Sequence, residues 1–285
     1  MIEDIIIDFF NDSEQDKKQN IKEYILGIDL GTSYSCAAIW EDNTYKMIKN
    51  KDNNILFPSI VSFDDKDNLY TCNNAIKHIE HNNYFYEVKR LIGRDYSDTI
   101  IQNEKSLLTY NIKESKNNNI IIEKEYKNKI ISLTPEEVSS YILYDIKKTS
   151  EDFLNTSISK CIITVPAYFN DRQRQATRDA AEIAGLDCLM ILSEPIASAY
   201  AYGIITKQDY NILVYDIGGG TLDISLLNIS DNVFEVLATS GNIHIGGYDF
   251  DKIIYEYCLN IFIANNKDIK NIDNLNNNID NYKKK

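Results

Sequence analysis

Two short stretches decide the fold of this chain: GIDLGTS at residues 27–33 and YDIGGGT at residues 215–221. Each begins in an apolar run typical of a β-strand, places an aspartate near the strand end, and continues with glycine and a hydroxyl residue in the turn. The aspartates are Asp29 and Asp216. Their similar settings, far apart in the chain, fit a duplication in which each of two lobes contributes one hairpin to a shared cleft.

The sequence around these stretches predicts alternating strands and helices. Apolar strands at 24–28 and 35–40 form a hairpin around the first stretch. Thr134-Pro135-Glu136-Glu137 supplies an N-cap, a proline at the first helical position and a capping-box glutamate, so a helix runs from here to about Leu154. Further elements are a strand at 161–165, a helix from Asn170 to Gly185, a helix from Pro195 to near Gly203, and an antiparallel meander at 211–215, 222–227 and 233–238.

The chain divides into four segments by composition. Residues 1–23 are acidic and predicted to form a flexible arm, and residues 264–285 are rich in Asn and Lys and predicted to be disordered. Residues 24–206 form the first lobe, and residues 207–263 begin the second.

Composition excludes several classes of protein. The 285 residues are 44% hydrophobic and carry a net charge of -13, so the long-range field repels nucleic acid and anionic membranes. There is no apolar run long enough to span a membrane and no secretory signal, so we expect a soluble cytoplasmic protein. The five cysteines have no C-x-x-C spacing and are expected to be reduced thiols that are buried or idle.

The residue types in the two stretches favour a phosphate ligand. Glycines let backbone N–H groups approach phosphate oxygens, and Thr32, Ser33 and Thr221 add hydroxyl donors. Carboxylates beside phosphate make sense only with a hard cation between them, so Asp29 and Asp216 predict Mg²⁺. Either stretch alone could be a tight hairpin turn. Neither matches the P-loop pattern or the Rossmann pattern.

A longer series of motifs carries a family resemblance. The motifs follow in family order at residues 27–32, 88–94, 135–138, 165–171, 173–177, 193–195, 216–223 and 246–251. This series resembles the nucleotide-binding domain of the DnaK-type 70-kDa heat-shock chaperones (the Hsp70 family), which is similar in fold to actin and the sugar kinases. The resemblance implies an α/β, actin-like (duplicated ribonuclease H-like) ATPase fold with two lobes. It covers about Tyr24 to Ile263, the first part of that domain, so we expect a truncated second lobe without the family's adenosine-gripping motif.

The resemblance also implies roles for individual residues. ATP or ADP would be bound by Gly31, Thr32, Ser33 and Tyr34 of the first lobe, and by Gly218, Gly219, Gly220, Thr221, Gly246 and Gly247 of the second. Asp29 and Asp216 would hold Mg²⁺ through water, Lys89 would reach the terminal phosphate, and Glu194 would accept a hydrogen bond from the attacking water. Pro166 and Arg174 would report the nucleotide state to a peptide-binding domain, and Asp223 would support the second loop.

Three of these residues have simpler explanations if the resemblance is set aside. Lys89 could be a solvated member of a basic pair, Arg174 could pair with a neighbouring aspartate on a helix surface, and Glu194 could act electrostatically at a helix N-terminus.

Partners implied by the resemblance are J-domain cochaperones, nucleotide-exchange factors and unfolded clients. Met190 stands where the family has an arginine used in J-domain docking, and Tyr248 and Ile196 replace family residues near the cleft. Client binding would need a peptide-binding domain supplied elsewhere. Two other functions stay open: a non-catalytic interaction module derived from a chaperone, or a fragment of one that needs a partner chain, and a sugar kinase with the same fold. The second is disfavoured by the chaperone-like run from Val165 to Thr177.

Overall fold

A computed structural model describes residues 23–66, 68–80, 83–202, 209–231 and 233–265. Nearly all of the predicted acidic arm and of the predicted disordered tail therefore lies outside the described residues. The two tail residues that are described, 264 and 265, belong to a helix.

Strands and helices alternate through the described ranges. The strands are β1 Ile25–Asp29, β2 Tyr34–Glu41, β3 Thr44–Met47, β4 Phe57–Pro58, β5 Ile60–Phe63, β6 Leu69–Thr71, β7 Tyr84–Tyr86, β8 Asn111–Glu114, β9 Ile120–Tyr126, β10 Lys129–Leu133, β11 Lys160–Val165, β12 Asp187–Ser193, β13 Tyr210–Ile217, β14 Leu222–Ser230 and β15 Val233–Asn242. The α-helices are α1 Cys72–Lys77, α2 Thr99–Glu104, α3 Pro135–Leu154, α4 Asp171–Ile183, α5 Glu194–Ala201 and α6 Gly247–Asn265. Short 3₁₀ turns lie at Val88–Arg90 and Lys116–Asn118.

The main sheet of the first lobe has the strand order β12-β11-β1-β2-β3, and β4 also pairs with β2. Strands β1, β11 and β12 are parallel, whereas β2 and β3 are antiparallel to their neighbours. Helix α4 connects the parallel strands β11 and β12 and packs on both α3 and β12. This βαβ unit brings the carboxyl ends of β1, β11 and β12 to one edge, where α/β sheets commonly bind ligands.

The remaining strands form three smaller antiparallel sheets, with the orders β6-β5-β7, β10-β9-β8 and β13-β14-β15. The first two belong to the first lobe. Their aromatic side chains pack together, with ring centroids 5.6 Å apart for Phe63 and Phe85 and 6.0 Å apart for Phe63 and Tyr126. The third sheet is the predicted meander of the second lobe.

The local signals in the sequence place β1, β2, α3, β11, α4 and β13 to within one or two residues, whereas β14 and β15 run three and four residues past their predicted ends and β12 was not predicted. Helix α3 has the predicted capping box, in which Glu137 N–H donates to Thr134 Oγ1 at 3.1 Å and Thr134 N–H donates to Glu137 Oε2 at 2.7 Å. Asn170 and Gln173 form the same arrangement at the start of α4. Helix α5 begins at Glu194, one residue before Pro195; Gly203, near its predicted end, lies outside the described residues.

Among the described helices, none combines the length and the apolar character that crossing a bilayer requires.

Candidate functional site

A cleft of about 380 Å³ lies between the main sheet and the β13-β14-β15 sheet. This is within the size range of small-molecule sites. The β1–β2 turn, the Val88–Arg90 turn, the end of β11 and helix α5 form one side, and the β13–β14 turn forms the other. The stretches at residues 27–33 and 215–221 therefore face the same cleft.

The first loop is the turn between β1 and β2, and it is shaped around Gly31. A Cβ at Gly31 would overlap the carbonyl oxygen of Tyr34, so only glycine fits. Ser59 Oγ holds the turn by donating to the Gly31 carbonyl at 2.8 Å. Thr32, Ser33 and Tyr34 line the cleft beyond this point. The loop thus has a fixed shape before any ligand binds.

The second loop is the turn between β13 and β14, and the start of α6 supports it from behind. Gly218 N–H donates to the Thr221 carbonyl at 2.8 Å, while Gly247 N–H donates to the Gly218 carbonyl at 3.1 Å. A Cβ at Gly246 would lie 2.6 Å from the backbone nitrogen of Gly220. Gly218, Gly219 and Thr221 line the cleft, and Gly246 and Gly247 pack against this loop from the side of α6. For Gly246 and Gly247 the geometry indicates support of the loop, and the direct ligand contact expected from the sequence stays a prediction.

The two loops approach each other closely across the cleft. A Cβ at Gly219 would lie 2.5 Å from Ser33 Oγ, and one at Gly220 would lie 2.6 Å from an Arg90 guanidinium nitrogen. A side chain at either position would have to displace Ser33 or Arg90. Gly219 and Gly220 therefore leave space for the Ser33 and Arg90 side chains of the first lobe.

Lys89 and Glu194 form an ion pair inside the cleft. Lys89 Nζ donates to Glu194 Oε1 at 2.8 Å, and the side chains are 12% and 15% exposed. Burial alone would lower the pKa of Lys89, but Glu194, Asp29 and Asp223 together raise it. Burial raises the pKa of Glu194, and Lys89 offsets part of this effect. Lys89 is therefore not the solvated basic residue that its neighbours in sequence would suggest.

Carboxylates outnumber cations near this pair. Asp29 lies at the end of β1, where it accepts a hydrogen bond from Thr164 Oγ1 at 3.2 Å, and Asp216 lies at the end of β13. Burial raises the pKa of Asp216, and the charge of Asp29 raises it further. Burial, followed by the charge of Asp216, likewise raises the pKa of Asp223. This clustering of negative charge favours a bound cation.

Comparisons with known proteins agree with this geometry. The sequence model of the Hsp70 protein family matches residues 25–284. The chain belongs to the Hsp70 family. It is similar to the Heat shock protein 70 homolog of Acanthamoeba polyphaga mimivirus, with 43% identity over 249 residues that cover 83% of this chain and 26% of that protein. It is also similar to the Heat shock 70 kDa protein of Emericella nidulans, with 42% identity over 246 residues that cover 85% of this chain and 38% of that protein.

Membership of the Hsp70 family confirms the predicted α/β, actin-like ATPase fold and decides against the sugar-kinase alternative. The family match extends beyond Ile263, where the sequence analysis expected the resemblance to end. The chain spans about a quarter to two-fifths of the length of these two Hsp70 relatives.

The cleft of this Hsp70 chain fits a magnesium nucleotide. Gly31 and Gly219, where a Cβ would clash, lie on the cleft wall together with the hydroxyl residues Thr32, Ser33 and Thr221. Asp29 and Asp216 supply the hard oxygen ligands that Mg²⁺ prefers, directly or through water.

The residues expected to couple this Hsp70 site to a second domain lie on the segment after β11. Pro166 lines the cleft. Arg174, in the first turns of α4, donates from Nε to the Phe169 carbonyl at 3.0 Å and from a terminal nitrogen to the Ala167 carbonyl at 3.4 Å. Arg174 thus holds the backbone that follows Pro166 and does not form the surface ion pair considered as an alternative. Met190 is half-buried on β12, opposite Ile162.

Arg90 is a site residue that the sequence analysis did not assign. Its guanidinium donates to Glu87 Oε2 at 3.0 Å, to the Gly220 carbonyl at 3.0 Å and to the Ile243 carbonyl. It therefore joins the first lobe to the second. The only sequence signal was its place in the motif at residues 88–94, beside Lys89.

Proposed function

We propose that this chain binds Mg-ATP in the cleft between its lobes and hydrolyses the terminal phosphate, as part of the ATPase domain of an Hsp70-type chaperone. The observation that carries the proposal is the convergence of two glycine loops, from separate sheets, on the Lys89–Glu194 pair and its neighbouring aspartates. The same two loops and charged residues would bind ADP after hydrolysis.

Binding would depend on donors from both lobes. Thr32, Ser33 and Tyr34 would contact phosphate from one side, and Gly218, Gly219 and Thr221 from the other. Gly220 would complete the second loop beside them, and Gly246 and Gly247 would fix the shape of that loop from behind. Because both lobes contribute donors, ligand binding would also hold the lobes together.

Catalysis would use the buried ion pair. Lys89 would direct its positive charge at the transferred phosphoryl group, where negative charge develops. Glu194 would accept a hydrogen bond from the attacking water and hold it in line. Mg²⁺, held through water by Asp29 and Asp216, would supply neutralisation of the phosphate charge.

The longer Hsp70 cycle would involve other parts of the protein. Pro166 and Arg174 would transmit nucleotide state through the segment that they share, towards a peptide-binding domain. J-domain cochaperones, nucleotide-exchange factors and unfolded clients are the proposed partners, and Met190 in place of arginine would weaken J-domain docking. A cytoplasmic location stays a prediction.

Thermal unfolding across Mg-ATP and Mg-ADP titrations tests the binding step. Ligand at about 100 times its dissociation constant adds roughly 2.7 kcal/mol to the free energy of unfolding, so the midpoint should rise and saturate. Asp216→Asn should abolish the Mg²⁺-dependent part of the rise. Asp152→Asn, which changes an exposed aspartate on α3, is the matched control and should keep it. The absence of any shift at millimolar nucleotide would refute binding by this chain.

Phosphate release tests hydrolysis separately. Single-turnover release with saturating Mg-ATP should fall at least tenfold in Lys89→Ala and Glu194→Gln, because each removes a group placed at the reacting phosphate or water. Equal release by the unmodified chain and both variants would refute the enzymatic proposal while leaving nucleotide binding intact.

A second candidate function is a non-catalytic interaction module. It is favoured by the large apolar side chains exposed on the second-lobe sheet and on α6, among them Leu213, Tyr215, Ile253, Ile254 and Tyr257. Exposed apolar patches of this kind often mark protein–protein contacts. Binding of a purified J-domain that is unchanged by nucleotide, together with no phosphate release, would favour this function over the first.

A further inference from the structure

Cys161 and Cys188 face each other in the main sheet. They are register partners on the parallel strands β11 and β12, so both side chains point to the same face of the sheet. Both are almost completely buried, at 0% and 4% exposure, in the core that also contains Ala180 and Ala181 of α4. The spacing of the cysteines in sequence gives no sign of this pairing, because the intervening residues form the α4 crossover.

The two thiols interact directly, and their surroundings are unequal. They hydrogen bond to each other, and Cys188 Sγ also donates to the Met190 carbonyl at 3.4 Å. The hydrogen bond from Cys161 lowers the pKa of the Cys188 thiol; burial opposes this effect and the Arg178 guanidinium adds to it. The same hydrogen bond, together with burial, raises the pKa of Cys161. Cys188 therefore has more thiolate character than Cys161.

The strand geometry is compatible with a covalent bond. Neighbouring strands lie about 4.7–4.9 Å apart, within the roughly 4.4–6.8 Å range of Cα separations in disulfides. The register shifts directly after the pair, between Cys161 and Ile162, which lets the backbone adjust there. Strand β12 is at the edge of the main sheet, so opening this edge gives a small oxidant a route to Cys188.

We propose that Cys161 and Cys188 form an oxidisable dithiol that hydrogen peroxide converts into an intrachain disulfide. The Cys188 thiolate attacks one peroxide oxygen, the O–O bond breaks, and Cys188 becomes a sulfenic acid as the peroxide is reduced to water. The Cys161 sulfur then attacks the Cys188 sulfur, and the sulfenic oxygen leaves as a second water. In total, two thiols lose two electrons and two protons to one molecule of hydrogen peroxide.

The disulfide would tie β12 to β11 beneath α4, the helix that carries Arg174. Arg178 of α4 is already anchored to the same place, because it donates to the Cys188 carbonyl. The oxidised chain should therefore have a higher unfolding midpoint than the reduced chain, as expected when a loop is closed covalently.

Mass spectrometry of the whole chain tests the proposal. Reduced protein is exposed to hydrogen peroxide, free thiols are blocked by alkylation, and the chain is digested with trypsin without reduction. Trypsin releases residues 161–172 and 179–207, and the expected product is these two peptides joined, at a mass two hydrogens below their sum. Reduction before digestion should abolish it. The proposal would be overturned if the joined peptides were not detected after peroxide treatment of the folded protein. It would also be overturned if peroxide treatment of the denatured chain gave the same yield of joined peptides as treatment of the folded protein.

Variants separate the two sulfurs. Cys161→Ser, which keeps a hydrogen-bond donor but removes the second thiol, should leave Cys188 trapped as a sulfenic acid that reacts with dimedone. Cys188→Ala should give no such adduct at Cys161. Cys258→Ser is the matched control, since Cys258 is exposed and belongs to a different part of the chain, and it should still form the joined peptides. A dimedone adduct at Cys161 instead of Cys188 would contradict the proposed order of attack.

Discussion

Replacing Lys89 with methionine should destabilise the protein, because it leaves Glu194 buried without its partner. Breaking a fully buried ion pair by removing one member costs about 3–5 kcal/mol. The pair is 2.8 Å long and its side chains are 12% and 15% exposed towards the cleft. Solvent on that side weakens the interaction, so we expect a cost of about 2–3 kcal/mol in the free energy of unfolding at neutral pH.

The loss of stability caused by Lys89→Met should be larger at neutral pH than at acidic pH. Burial already raises the pKa of Glu194, and loss of Lys89 removes the charge that offsets this effect. In Lys89→Met the Glu194 carboxyl is therefore protonated more readily, and burial costs the neutral carboxyl less than it costs the carboxylate. The cost should shrink as the pH falls from 7 towards about 5, because protonation removes the unpaired charge.

Urea unfolding provides the assay, since the chain has a single tryptophan, Trp40, which lies on β2 of the same lobe. A double-mutant cycle with Glu194→Gln should give a coupling energy of at least about 1 kcal/mol. Lys51→Met is the matched control: Lys51 pairs with Asp152 at 3.5 Å with both side chains largely exposed, and its loss should cost less than about 0.5 kcal/mol. If Lys89→Met costs no more than Lys51→Met, or the coupling energy is zero, the reasoning about the buried pair is wrong.

Three further predictions concern the cleft loops and the contact between lobes. Gly31→Ala should lower the free energy of unfolding by about 2 kcal/mol or more. Gly27→Ala is the control: its Cβ would lie 3.6 Å from the nearest atom, so it should change this free energy by less than about 0.5 kcal/mol. Denaturant unfolding of the two variants measures both effects. Because burial, reinforced by the charge of Asp29, raises the pKa of Asp216, stability without nucleotide should fall as the pH rises through that pKa. Asp216→Asn should remove this dependence, which thermal unfolding over pH 4–8 measures. Asp216 is exposed to the cleft, so solvent screening should keep the gain in stability at pH 7 to no more than about 1 kcal/mol. Arg90→Met should cost about 2–3 kcal/mol and speed hydrogen exchange around Gly220, and unchanged exchange there would contradict its bridging role.

The sequence by itself determined the local elements and the family. The capping box at Thr134 and Glu137, and the apolar run that forms β11, act within a few residues, so they can be read without knowing the fold. The family follows from the order of the motifs, because so many matches in one order do not arise from local preference. These signals also located the two loops and most of the charged residues that surround them.

Tertiary structure decided how distant residues act on one another. Lys89 resembles a solvated lysine in sequence, and only the approach of β12 and α5 to the Val88–Arg90 turn places it against Glu194. Gly246 and Gly247 match the family pattern, but packing sets them behind the second loop. Cys161 and Cys188 become neighbours because two strands separated by a helix pair in parallel and in a particular register. Caps and periodicity depend on residues close in the chain, whereas register, burial and contact between lobes depend on the packing of the whole core.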